Sequence, residues 1–161
     1  MPKAKTTNRI KRIKKNKAIG IAVSQFNEFI TRRLLAACEE ELLRRGIDES
    51  KIITVHVPGA FELPLACLKL ARQKNIAAVI ALGAVIRGET FHFELVSENA
   101  ARGILEVGLL TGKPVIFGVI TTDTVEQAYA RSRRKGANKG RDAAEAALQM
   151  MDAMSKIKGS L

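Results

Sequence analysis

Four times along this chain a short run of apolar residues is followed by a stretch with helical period. The runs are Ala18 to Val23, Ile52 to Val57, Ile76 to Leu82 and Val115 to Ile120, and none alternates apolar with polar residues as a half-exposed strand does. Helical patterns start near Glu28, Phe61 and Phe93, a short one follows Thr121 to Thr124 and ends near Ser132, and an alanine-rich one runs from Arg141 to about Met154. Strands that are apolar on both faces must be covered on both, so the pattern predicts a three-layer α/β/α sandwich around a four-stranded, mostly parallel sheet. Right-handed crossovers then bring every strand-to-helix turn to one end of that sheet. Those turns are Ser24 to Asn27, Val57 to Glu62, Gly83 to His92 and Phe117 to Asp123.

Local punctuation agrees with this reading. Asn27 is a candidate N-cap, Gly46 stops the first helix, and Pro64 is tolerable in a first helical turn. At 161 residues the chain is long enough to bury one ordinary core. Residues 1–17 hold eight basic and no acidic residues, whereas nineteen basic and sixteen acidic residues follow, so of the +11 net charge only +3 falls on residues 18–161. The excess therefore belongs to a basic N-terminal tail preceding one domain. The tail reads as a solvated, poorly ordered extension or as a contact for an anionic partner such as nucleic acid. It lacks the apolar core of a secretory signal, is Lys-rich and Ser-free, and no apolar run is long and pure enough to span a bilayer, which together predict a soluble, cytoplasmic protein with no membrane association. Cys38 and Cys67 sit in apolar helical patterns and read as small buried hydrophobes, and the absence of CxxC or Cys/His spacing argues against a zinc site.

The residues that could carry chemistry cluster in the turns. Phe26 is a large aromatic in a polar turn, either a staple against its own helix or a platform for a flat heterocycle. Glu62 lies in a first helical turn, where it complements the helix dipole or accepts hydrogen bonds from substrate hydroxyls. In Gly83 to His92, Gly88 allows close approach, Thr90 and the first amides of the next helix make an anion seat, and His92 brings an imidazole, the side-chain type suited to proton transfer near neutral pH. A lone histidine is often structural, but this one stands beside the anion seat. The basic run from Tyr129 to Arg141 is either a solvated face or a phosphate clamp built on the planar fork of Arg131, and spacing does not say whether Arg131 and Thr90 meet within one subunit.

With these residues in hand, the chain closely resembles the lumazine synthase family of riboflavin biosynthesis. The matching blocks are Ser24 to Asn27, Val57 to Pro64, Gly83 to Phe93, Phe117 to Thr121 and Asn138 to Gly140, in family order, within residues 18 to 155. The resemblance implies a flavodoxin-like fold and a transferase that condenses 5-amino-6-(D-ribitylamino)uracil with 3,4-dihydroxy-2-butanone 4-phosphate to 6,7-dimethyl-8-ribityllumazine, phosphate and water. It implies no metal or organic cofactor. Carried onto this chain, Phe26, Ala60, Phe61, Glu62, Ala84, Val85, Ile86 and Phe117 would bind the ribitylaminouracil, and Gly88, Glu89, Thr90, Arg131 and Lys139 the butanone phosphate. His92 would be catalytic. The resemblance further implies that Phe117 and Arg131 come from a neighbouring subunit of at least a homopentamer, and a functional link to riboflavin synthase. The loop from Arg131 to Lys139 has no insertion, as in members that build an icosahedral capsid of sixty subunits.

Two other classes compete: a nucleic-acid-binding or assembly protein acting through the tail, and a flavin or nucleotide binder that has lost catalysis. Phe26, His92 and Arg131 together disfavour the second.

Overall fold

The structure is a computed structural model that describes residues 16–157. The tail expected at residues 1–17 lies almost wholly outside the described residues. Four strands, β1 (Ala18–Ser24), β2 (Ile52–Val57), β3 (Ile76–Ile86) and β4 (Val115–Thr122), pair in the order β2-β1-β3-β4. Every pairing is parallel, so the sheet is wholly rather than mostly so. Among the described residues, five α-helices complete the fold: α1 (Glu28–Arg44), α2 (Leu63–Ala71), α3 (His92–Thr111), α4 (Val125–Ala130) and α5 (Lys139–Ile157).

Side-chain alternation along the strands divides the core in two. Ile19, Ile21, Val23, Ile80 and Leu82 face α1 and α5, where they meet Leu34, Leu42, Ala144 and Leu148. Ala22, Val79 and Ala81 face α2 and α3, where they meet Leu63, Cys67, Ala100 and Ile104. Both cysteines are buried and unpaired, and burial pushes each thiol up to about 12.

Element boundaries depart from expectation where small residues mislead. Gly83 to Ile86 read as a turn, yet they continue β3, and β4 runs on through Thr121 and Thr122 to pair with Val85 and Ile86. Alanine, glycine and valine suit this segment because it is packed from beneath: a Cβ on Gly83 would lie 3.0 Å from Ser24 Oγ and 3.2 Å from Leu63 Cδ1. Ser24 Oγ is itself buried without a hydrogen-bond partner among the described residues. A 3₁₀ turn at Ala60–Glu62 precedes α2, which holds Pro64 in its first turn as expected. Asn27 stands at the N-cap position of α1 but does not cap with its side chain. Thr124 does, accepting from the Gln127 amide at 3.2 Å.

The start of α5 presses directly on the backbone of α1. A Cβ on Gly140 would lie 1.9 Å from the carbonyl oxygen of Leu34, a spacing no side chain can occupy. Gly140→Ala is therefore expected to lower stability by about 1–3 kcal/mol or more, because the helices must separate. Gly88→Ala is the control, since a Cβ there meets nothing within 4 Å, and its denaturant midpoint should match the parent's at equal protein concentration.

Candidate functional site

In an open α/β sheet the ligand crevice lies at the carboxyl ends of the strands, where the strand order reverses. Here that place is between β1 and β3, because the chain leaves β1 for β2 on one side and returns to β3 on the other. The β1–β3 pairing ends at Val23 and Leu82, whereas β3 continues to Ile86 with only β4 beside it. Beyond Leu82, then, the side of β3 that faces β1 has no strand partner.

Three backbone and side-chain contacts anchor the turn after β1, and one of them crosses this gap. The amides of Gln25 and Phe26 donate to the carbonyls of Val57 at 2.8 Å and Pro58 at 2.9 Å, fixing the turn to the end of β2. Asn27 Nδ2 donates to the Ala84 carbonyl at 2.9 Å, fixing it to β3. To reach there Asn27 adopts the left-handed conformation, φ 59°, ψ 44°, which asparagine tolerates better than most residues. Strand alternation turns the backbone of Ile86 to the same side as the Ala84 carbonyl, leaving peptide groups on the crevice wall.

Phe26 stands at the mouth of this crevice with 72% of its surface exposed, so it does not act as a staple on α1. Phe61 is also exposed, at 60%. Ala60, Ala84 and Val85 are buried with their side chains in the two cores, so what they offer a ligand is backbone and contour. Glu62 is exposed at the N-cap of α2, where its carboxylate oxygen lies 3.0 Å from where a Cβ on Gly59 would be. Both readings of Glu62, dipole partner and hydroxyl acceptor, fit that position.

The loop from Gly88 to Phe91 is exposed and opens into α3, whose N-cap, Phe91, contributes no side-chain hydrogen bond. The first amides of a helix lack intrahelical acceptors; that of His92 reaches Thr90 Oγ1 at a long 3.4 Å, and that of Glu94 its own carboxylate. Donors therefore remain for an anion beside the exposed His92 imidazole. Gly88 has ordinary φ and open space about its Cα, so its contribution is room rather than unusual backbone.

Phe117, Arg131 and Lys139 lie elsewhere. They line a common hollow of about 390 Å³ on the outer edge of β4 and the start of α5, together with Thr121 and Asp142. Phe117 pairs with Ala81, three residues before Ala84 on β3, which sets it roughly 10 Å down the sheet from the crevice level. The basic loop closes on itself to make this group: Lys139 N donates to the Arg131 carbonyl at 2.9 Å and Ser132 pairs with Asn138. Buried Asn138 secures the closure, accepting from the amide of Gly140 at 2.8 Å and donating to the Arg133 carbonyl at 3.1 Å. Lys139 Nζ rests 3.4 Å from Asp142 Oδ2. A larger hollow of about 570 Å³, lined by Lys17, Arg72, Lys74 and Lys113, holds none of the residues singled out above.

The candidate residues thus form two groups, one at the β1–β3 crevice and one on the β4 edge. The model of the 6,7-dimethyl-8-ribityllumazine synthase family matches residues 16–155, nearly the whole chain. This chain belongs to that family. A relative in Syntrophus aciditrophicus (strain SB) named 6,7-dimethyl-8-ribityllumazine synthase is 51% identical over 145 residues, covering 90% of this chain and 94% of the relative. The family match spans both groups of residues. Two contributions escaped sequence reading. Asn27 was visible only as a cap, and Arg87 carried no role until its contacts to Glu94 and Asp123 appeared.

Asn27 allows the crevice to be tested apart from chemistry. Asn27→Gly keeps the left-handed turn and loses the bond to Ala84, an expected cost of about 1 kcal/mol. Asn27→Ala adds the left-handed penalty, roughly 1–2 kcal/mol more. Denaturant midpoints in that order, wild type above Gly above Ala, would verify both contributions; equal midpoints for wild type and Gly would remove the crevice bond from the account.

Proposed function

We propose that this chain condenses 5-amino-6-(D-ribitylamino)uracil with 3,4-dihydroxy-2-butanone 4-phosphate to give 6,7-dimethyl-8-ribityllumazine, phosphate and water. The observation that carries this reading is that one family match takes in the crevice and the β4 edge alike. In it, Phe26 stacks on the pyrimidine, while Ala60, Phe61, Glu62, Ala84, Val85 and Ile86 form the wall and the ribityl contacts. Gly88, Glu89 and Thr90 receive the phosphate at the start of α3, and His92 moves protons beside it. Phe117, Arg131 and Lys139 complete the site from a neighbouring copy, Arg131 by its bidentate fork.

The chemistry asks for little more. An amine of one substrate attacks the ketone of the other, water leaves as the imine forms, phosphate leaves, and the second amine closes the ring with loss of a second water. Each step moves a proton or stabilises an anion, tasks for one imidazole and one phosphate clamp. Bringing the two substrates together in the right orientation supplies much of the acceleration.

The reading requires association, and two features support it. The two groups of site residues lie apart within one chain, and α3 exposes Leu95, Leu105, Leu109 and Leu110, an apolar face suited to a second copy. The state we propose is a homopentamer or its sixty-subunit icosahedral assembly, in the cytoplasm. Light scattering should return a mass of at least five 17.6 kDa chains.

Purified protein given both substrates should produce the fluorescent lumazine, and no product from assembled protein would overturn the reading. Because orientation dominates, His92→Ala is expected to lower turnover by about 10²-fold while leaving measurable activity. Complete loss in a variant that assembles and binds ligand would contradict the orientation account. A protein that acts through its basic tail instead would bind nucleic acid with a steep salt dependence lost on removal of residues 1–17.

A further inference from the structure

The loop that would seat the phosphate has little holding it. Gly88 to Phe91 are exposed, a Cβ at Gly88 would meet nothing within 4 Å, and Thr90 makes only the long contact to His92 N. At the head of the loop, however, stands Arg87, the best-connected side chain in this part of the molecule. Its amide donates to the Thr122 carbonyl at 2.8 Å, the last rung between β3 and β4. Its Nε donates to Asp123 Oδ1 at 2.8 Å, and its Nη1 to Glu94 Oε1 in the first turn of α3. The guanidinium carbon lies 4.2 Å from the centroid of the Phe93 ring.

The contacts continue past Asp123. Its amide donates to Gln127 Oε1 at 2.8 Å, and the Gln127 carbonyl accepts from Arg131 Nη1 at 3.2 Å. We propose that Arg87 is a positioning residue for the phosphate subsite: one guanidinium fixes the α3 turn that carries His92 to the end of β4, from which the chain runs on to Arg131. This inference rests on the function proposed above and deepens it. Where His92 and Arg131 of one chain serve two neighbouring sites, Arg87 sets the geometry of both.

Arg87 is not itself placed to receive phosphate. Two carboxylates and a ring occupy it, and its hydrogen bond holds the Glu94 carboxyl below the usual carboxylate range. Its charge has a second effect. With the guanidinium removed, Glu94 and Asp123 stand uncompensated near the anion seat and repel a phosphate. A lysine would restore the charge but not the planar fork that reaches both carboxylates at once.

The test uses Arg87→Met, Arg87→Lys and Asp123→Asn in the full-length protein, with KM for each substrate, inhibition by inorganic phosphate, and assembly mass. Arg87→Met should raise KM for the butanone phosphate and the inhibition constant for inorganic phosphate together, by roughly tenfold or more, with KM for the ribitylaminouracil changed less than about twofold. Arg87→Lys should recover only part of the loss. Asp123→Asn, which keeps the guanidinium, should shift the same two constants in the same direction by less. An unchanged phosphate constant in Arg87→Met would overturn the proposal. So would a parallel rise in both KM values with loss of assembly, which marks a merely structural arginine; if Arg87→Met does not fold, the Lys and Asn variants decide on the same split. Failure of the proposed reaction reads differently: wild type then makes no lumazine, and binding of inorganic phosphate to wild type and Arg87→Met still decides whether Arg87 orders an anion seat.

Discussion

The pairing of β1 with β3 is the constraint on which the rest depends. Strands apolar on both faces have to be interior and covered by helices, and a chain that adds β2 on one side of β1 and β3 on the other leaves a gap at their carboxyl ends. β3 runs four residues past its pairing with β1, so on that side its last peptide groups line the gap instead of entering a ladder. The crevice is therefore a consequence of topology and strand length. Side chains only finish it: Asn27 closes the bond to Ala84, and Phe26 is held outward because the turn amides are anchored to β2.

The four strands, their order along the chain and the gathering of their turns at one end were legible in the sequence because they follow from apolar runs and crossover handedness. β2 was legible to the residue, since Pro58 and Gly59 end it unmistakably. The end of β3 was not, because Gly83 and Ala84 look like a turn until Ser24 and Leu63 are seen packed beneath them. Nor was the bond of Asn27. A side chain that caps its own helix and one that reaches a carbonyl 57 residues away have the same local signature. Arg87 fails for the same reason, as Asp123 is 36 residues distant. Gly140 stood inside a block quoted for its resemblance, but its packing need, contact with the α1 backbone, is a tertiary fact.

The division of the candidate residues into two groups has an electrostatic side. Near the crevice, Arg87 is balanced by Glu94 and Asp123, leaving the α3 amides and His92 as the donors for an anion. Strong unspent positive charge lies instead on the β4 edge, where Arg131 makes its side-chain contact to a carbonyl and Lys139 is only loosely paired. On the function proposed above, a dianionic substrate would be held well only where the two surfaces meet. On that reading, such an arrangement would make assembly a condition of activity rather than an addition to it.

Mixed assembly measures this most directly. His92→Ala subunits and Arg131→Ala subunits, each assembled alone and then co-assembled through unfolding and refolding together, are assayed for lumazine formation at equal total protein. If each site draws His92 from one copy and Arg131 from its neighbour, some junctions in the mixture regain both groups, and the mixture is faster than the mean of its two parents. A rate equal to that mean would show that one chain supplies both residues to the same site, and the composite account would fail.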